Sequence, residues 1–118
     1  MKLLERAHKY FQSADIGDIK DINYLKGELS IEYAKVSKEA IDKEHKYNYC
    51  RASVYRQLLE RGETTTKSSD SAKAHAEIGH GDYIVYKQQA KSIANTIDQL
   101  RDIVIGIQYV DKHLSDIK

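Results

Sequence analysis

The sequence predicts an all-α fold: a long antiparallel helical hairpin, coiled-coil-like, with a short N-terminal helix. Three observations predict it. First, an unbroken seven-residue hydrophobic register runs from Tyr83 to Leu114. With Tyr83 as position a, the a sites are Tyr83, Ala90, Ile97, Val104 and Asp111; the d sites are Tyr86, Ile93, Leu100, Ile107 and Leu114. Nine of these ten are apolar or aromatic, as a helix requires if one face is to stay against partner helices over many turns. Second, the chain has no proline, and it is rich in Lys, Glu, Ala, Leu and Ile, which favours long uninterrupted helices. Third, breaking signals are confined to the Asp15–Ile22 connector with its Gly17, the turn after Gly62, and Gly79-His80-Gly81.

Taken in order, residues 2–14 form a short amphipathic helix, because Leu3, Leu4, Ala7, Tyr10, Phe11 and Ala14 recur at three and four residues. A threefold Asp-Ile connector follows, Asp15 to Ile22, in which Asp18 and Asp21 are candidate N-caps and the isoleucines pin the connector to the fold. The second helix is expected over 23–61. Its stripe is Leu25, Leu29, Tyr33, Val36, Ala40, Tyr47, Cys50, Val54 and Leu58, with Lys43 where an apolar residue belongs. Gly62 suits its C-terminus, where positive φ is least costly for glycine. A third helix is expected over 69–79, capped by Ser68, Ser69 or Asp70, and a fourth over 82–116, capped by Asp82. Glycine in a helix interior costs about 1 kcal/mol, so Gly79 and Gly81 read as an interruption of one long helix. The g column beside the register is polar early and becomes Ile103, Val110 and Ile117. The stripe therefore widens beyond a two-stranded seam.

At 118 residues the chain makes one domain. Long helices from so short a chain cannot enclose a thick core, so self-association or a partner is expected. The stripe residues Tyr83, Tyr86, Ile93, Ile97, Leu100, Val104, Ile107 and Leu114 are its packing and oligomer candidates. A net charge of +1 gives no global field toward nucleic acid or an anionic membrane. The lone Cys50 rules out an internal disulfide and fits a reducing compartment. No apolar run approaches the roughly 18 residues of a membrane span, and the first residues do not begin a signal peptide. The expected setting is the cytoplasm, with no membrane partner.

Chemistry-bearing motifs are sparse. His75 and His80 are five apart, not at the four-residue spacing that places two imidazoles on one helical face, and His8, His45 and His113 are isolated. No metal or cofactor is expected. Cys50 falls on the apolar stripe and reads as a small hydrophobe. The absence of a phosphate-binding glycine loop or nucleophile triad predicts a non-enzymatic protein. Lys43 and Asp111 are the polar residues of the two seams, and an antiparallel hairpin could pair them. The binding candidates are Lys46, Arg51, Tyr55, Arg56, Arg61, Lys67 and Lys73, near the turn end of the hairpin. From Lys46 to Lys91 there are eight basic and five acidic residues, about +3. Basic side chains interleaved with tyrosine, Tyr49 and Tyr55 among them, and a Thr/Ser-rich loop could hold phosphate groups.

The run Tyr55-Arg56-Gln57-Leu58-Leu59-Glu60-Arg61-Gly62, with Thr64-Thr65-Thr66, Ser69-Asp70, Ala72, Tyr83 and Lys87, resembles small all-helical proteins of tailed bacteriophages and prophages. The resemblance covers residues 23–102 and rests mainly on the turn and its caps; the N-terminal helix and the Gly-His-Gly break lie outside it. It implies an accessory factor encoded among early genes for DNA replication and recombination, working in the host cytoplasm, and it supplies no catalytic residues. The expectation is therefore a phage accessory protein that binds as a helical homo-oligomer, with single-stranded DNA or a host or phage protein as partner. The rivals are an anti-defence protein, which blocks an immune effector or sequesters its nucleotide signal, and a structural coiled-coil element of a larger assembly.

Overall fold

The computed structural model describes residues 1–117, with side chains through Leu114. The g-column residue Ile117 thus has its side chain outside the described residues. The chain folds as an all-α helical hairpin preceded by a short helix. Helix α1 spans Lys2–Gln12; a single 3-10 turn, Ile16–Asp18, leads into α2, Ile19–Glu60; α3 spans Thr65–His80 and α4 spans Tyr83–Ile117. Among the described residues, no helix is long and apolar enough to cross a membrane.

Two compact units make up the fold. The first comprises Met1–Lys35 and the chain from Ala90 on; the second is Val36–Gln89. In the first unit, Ile22, Leu25, Leu29, Ile93 and Leu100 are fully enclosed, and Ala7, Ala90 and Val104 are buried around them. Each large side chain removed from water contributes about 1.5–3 kcal/mol, so this cluster is the main core. Helix α1 is fastened to α2 by polar contacts as well. The Tyr10 hydroxyl donates to the Asp21 carboxylate, and the Arg6 guanidinium reaches Asp21 at 3.7 Å and Glu28 at 3.4 Å.

The connector departs from expectation in its caps. Ser13 is extended, at φ −161°, so α1 ends at Gln12 and Ala14 lies outside it. Asp15, not Asp18 or Asp21, is the cap: its side chain accepts from the Gly17 N–H, while the Asp15 N–H donates to Asp18, both at 2.9 Å. This reciprocal box satisfies two orphan donors at once. The chain is then committed to helix immediately, and α2 starts at Ile19, four residues before the expected Asn23. Ile22 pins this start as anticipated, fully buried, whereas Ile16 stays exposed. Tyr33 also departs from the stripe and is exposed.

Gly62 ends α2 at φ +88°, where a side chain would be strained. The Gly62 N–H donates to the Leu59 carbonyl at 3.0 Å and the Glu63 N–H to the Leu58 carbonyl at 3.1 Å. That nested pair closes the last carbonyls of the helix. Thr64 caps α3 at once, its Oγ1 accepting from the Lys67 N–H at 3.2 Å. Helix α3 therefore begins at Thr65, not at 69, and the expected cap Ser68 lies inside it, fully buried. Ser68, Ala72 and Ala76 form the buried face of α3. Small side chains at four-residue spacing permit close helix contact but bury little apolar area. The second unit is accordingly held by a thinner core, with Ala40 and Tyr47 contributed by α2.

Gly79 and His80 remain helical, so the expected interruption falls later, at Gly81 and Asp82. The Gly81 N–H still donates to the Glu77 carbonyl at 3.0 Å, and the Asp82 carbonyl then starts α4 by accepting from Val85 and Tyr86. A Cβ on Gly81 would sit 2.5 Å from the Glu77 carbonyl oxygen, whereas Gly79 has open space.

Two measurements test the Gly81 junction and the clasp between α1 and α2. In urea unfolding, Gly81→Ala should destabilise by about 1–3 kcal/mol, the usual penalty for forcing atoms into filled space. Gly79→Ala should instead stabilise by up to about 1 kcal/mol; equal effects at the two sites would contradict a junction at Gly81. The second measurement concerns Tyr10, whose hydroxyl is pushed up to about 12 by its hydrogen bond to Asp21, by burial and by the Asp21 charge. Because the folded value lies above the ordinary 10, this contact's stabilisation is complete below pH 10 and is lost as pH rises through 12. Absorbance titration should show one late tyrosine that Tyr10→Phe removes, and that variant should lose less stability between pH 10 and 12.

Candidate functional site

Between Glu44 and Glu60 helix α2 carries no acidic residue, but it carries Lys46, Arg51 and Arg56. All three side chains are exposed. None has an ion-pair partner among the described residues, whereas Arg6, Lys43, Lys87 and Arg101 are all paired. A helix turns about 100° and rises about 1.5 Å per residue. Five-residue spacing therefore rotates each successive cation by about 140° and lifts it by about 7.5 Å. Lys46, Arg51 and Arg56 are consequently spread around α2 and share no single face, and Arg61 follows just past its end.

Three tyrosines accompany these charges. Tyr47 is buried against Tyr83, with ring centroids 5.0 Å apart, and Tyr55 is half-buried. Tyr49 is 79% exposed. Together with Ala52, Ser53 and Arg56 it lines a shallow hollow of about 230 Å³, so an aromatic face and a guanidinium border the same open space. The α3 part of the predicted site is more mixed. Lys67 and Lys73 are exposed, but so are Glu63, Asp70 and Glu77, and Arg61 stands between Glu60 and Glu63. The structure thus concentrates unopposed positive charge on α2 and dilutes it on α3.

Below this stretch the seam is closed by pairs between α2 and the start of α4. Tyr47 lies against Tyr83 and, one turn earlier on α2, Lys43 lies over the Tyr86 ring at 5.3 Å. Reversed order of this kind defines antiparallel packing. The Lys43 Nζ is 3.0 Å from Asp82 and 4.0 Å from Glu39. Its hydrogen bond to Asp82 holds the ammonium above its usual range, against the opposing effect of burial. Lys43 is therefore partnered by Asp82, and the expected pairing with Asp111 is not formed. The cause is register: α3 takes up the first sixteen residues of the returning chain, so α2 meets the beginning of α4 at Lys43. Lys87 bonds Glu44 at 3.3 Å and is removed from the set of free cations.

The packing candidates divide along α4. Ile93, Leu100 and Val104 are buried, and Tyr83, Tyr86, Ile97 and Ile107 are half-buried, all within one chain. Leu114 is 59% exposed. Toward the C-terminus, Ile103, Ile107, Val110 and Leu114 line a groove of about 550 Å³ with Ala14 and Ile16, and Asp15 and Asp111 also border it. One buried position on α4 was not signalled by hydropathy: Thr96 in the g column, whose Oγ1 donates to the Ser92 carbonyl. A hydroxyl that can bond back to its own helix hides well in a core.

The chain matches no family model, no curated protein and no solved structure.

A double-mutant cycle checks the seam. Lys43→Met and Asp82→Asn should be non-additive in stability, as the two partners of one ion pair are. Lys43→Met with Asp111→Asn should be additive. Coupling to Asp111 in place of Asp82 would refute this register.

Proposed function

We propose that this is a non-enzymatic phage accessory protein that binds DNA through phosphate contacts on α2, in the service of phage recombination or replication. The observation that carries the reading is the acid-free stretch of α2, where Lys46, Arg51 and Arg56 are exposed and free of ion pairs among the described residues. Free cations in a chain of near-zero net charge create a local field without a global one, which suits a ligand that is itself a line of charge. Arg61, Lys67 and Lys73 extend the contact toward the turn.

A second reading has its own observation. The apolar groove on α4 favours a protein surface, either a second copy of this chain in a helical homo-oligomer or a host or phage protein, including an immune effector in an anti-defence role. A structural coiled-coil element would use the same groove without any ligand at the basic stretch.

Fluorescence anisotropy with a labelled oligonucleotide at several salt concentrations separates these. Phosphate binding predicts a linear fall of log affinity with log salt, about −0.7 to −0.9 per phosphate neutralised. Reversing Lys46, Arg51 and Arg56 together to Glu should abolish binding while leaving helicity intact. Absence of binding at low salt, or binding indifferent to both salt and these reversals, would sink the DNA reading and leave the protein-partner one.

A further inference from the structure

Resting on the protein-surface reading of the α4 groove, the spacing of its apolar residues identifies what covers it. The a and d columns of α4 serve the core as far as Val104, the last buried residue among those described. Beyond it the a column gives Asp111, and the apolar line moves into the g column, at Ile103 and Val110. That is a displacement of one residue, about 100° around the helix, away from the face that packs in the core. Ile103, Ile107, Val110 and Leu114 then follow one another at intervals of four, three and four residues, the spacing of a two-stranded coiled-coil seam. Ile107 belongs to both lines, so the second seam continues the first without a gap. The chain itself leaves this seam open: Val110 is 56% and Leu114 59% exposed, and both line the groove with Ala14 and Ile16.

A seam of this period receives a helix. A second α4 carries the same seam, and a two-fold axis brings such a strip against itself. Charge agrees with that occupant. The rim of the groove is acidic, from Asp15 and Asp111, and a second α4 brings the exposed bases Lys112 and His113 on the same two turns as Val110 and Leu114. Gly106 also lines the groove, and nothing beyond its own helical turn stands within 4 Å of where its side chain would begin, so a helix can come close there. We propose that a second copy of this chain covers the groove, the two molecules pairing through Ile103, Ile107, Val110 and Leu114 of α4 as a two-fold dimer. This seam leaves Asp111 at its edge, in reach of water, which accounts for a carboxylate in an otherwise apolar or aromatic a column. Ile105 stands two residues from both Ile103 and Ile107, on the opposite side of α4. It takes no part, although it is as exposed as Val110.

Sedimentation velocity over a range of protein concentrations tests the dimer, with Val110→Asp, Leu114→Asp and Ile105→Asp beside the unmodified chain. The unmodified chain should sediment as a dimer at the higher concentrations. Val110→Asp and Leu114→Asp should each raise the dissociation constant at least about tenfold, because a carboxylate is drawn into an apolar seam. Ile105→Asp should leave it unchanged. All three side chains are exposed within one chain, so helicity by circular dichroism should be the same throughout. A dimer as sensitive to Ile105→Asp, or insensitive to the other two, would overturn this seam. A chain that stays monomeric would overturn the second copy as occupant, and Nile red fluorescence then separates that failure from a wider one. Dye uptake that Val110→Asp removes leaves the groove open to a foreign protein, whereas no uptake overturns the protein-surface reading as well.

Discussion

The fold depends on one constraint, that α2 keep a single apolar stripe covered along forty-two residues by partners of different kinds. In the first unit the stripe is built from Ile22, Leu25 and Leu29, in a core with Ile93 and Leu100 from α4. In the second it narrows to Ala40 and Tyr47, in the unit where α3 offers only Ser68, Ala72 and Ala76. Large side chains supply hydrophobic free energy in one place and small ones supply proximity in the other. Lys43 interrupts the stripe. A half-buried ammonium needs a counter-charge, and Asp82 is in place to supply it because the chain breaks at Gly81 and restarts there. The break in one helix and the lysine in the other are thus two sides of a single solution.

Ser68 is the exception within the small-residue face. Its Oγ is buried and has no hydrogen-bond partner among the described residues. A buried hydroxyl without a partner is destabilising, so this position weakens a seam whose alanine neighbours would tolerate a methyl group.

Much of this was legible in the sequence. The seven-residue register located α4 and the side chains its core uses, since periodicity reports directly which face must leave water. Gly62 was legible because positive φ has few alternatives to glycine. Boundaries were harder. Several Ser, Thr and Asp residues compete for each cap, and the winners, Asp15 and Thr64, were decided by backbone geometry that no local pattern encodes. Lys43 was misassigned because its partner depends on how many residues α3 uses before α4 begins. The candidate site was legible as composition, an interval without acids, but not as geometry. Whether Lys46, Arg51 and Arg56 are paired or free follows only from where Glu44, Asp82 and Lys87 find their partners.

The tight turn at Gly62 also has a consequence for how the molecule comes together. The first unit is assembled from chain segments separated by the fifty-four residues of Val36–Gln89. Loop-closure entropy rises as about 1.5 RT ln n, so joining ends across such an interval is roughly 2 kcal/mol less favourable than joining them across a turn of four. Reversal at Gly62 needs no distant contact: two backbone hydrogen bonds and one threonine cap complete it. The unit with the thinner core is therefore the one whose chain closes at the lower entropic cost, and the unit with the larger core carries the longer closure.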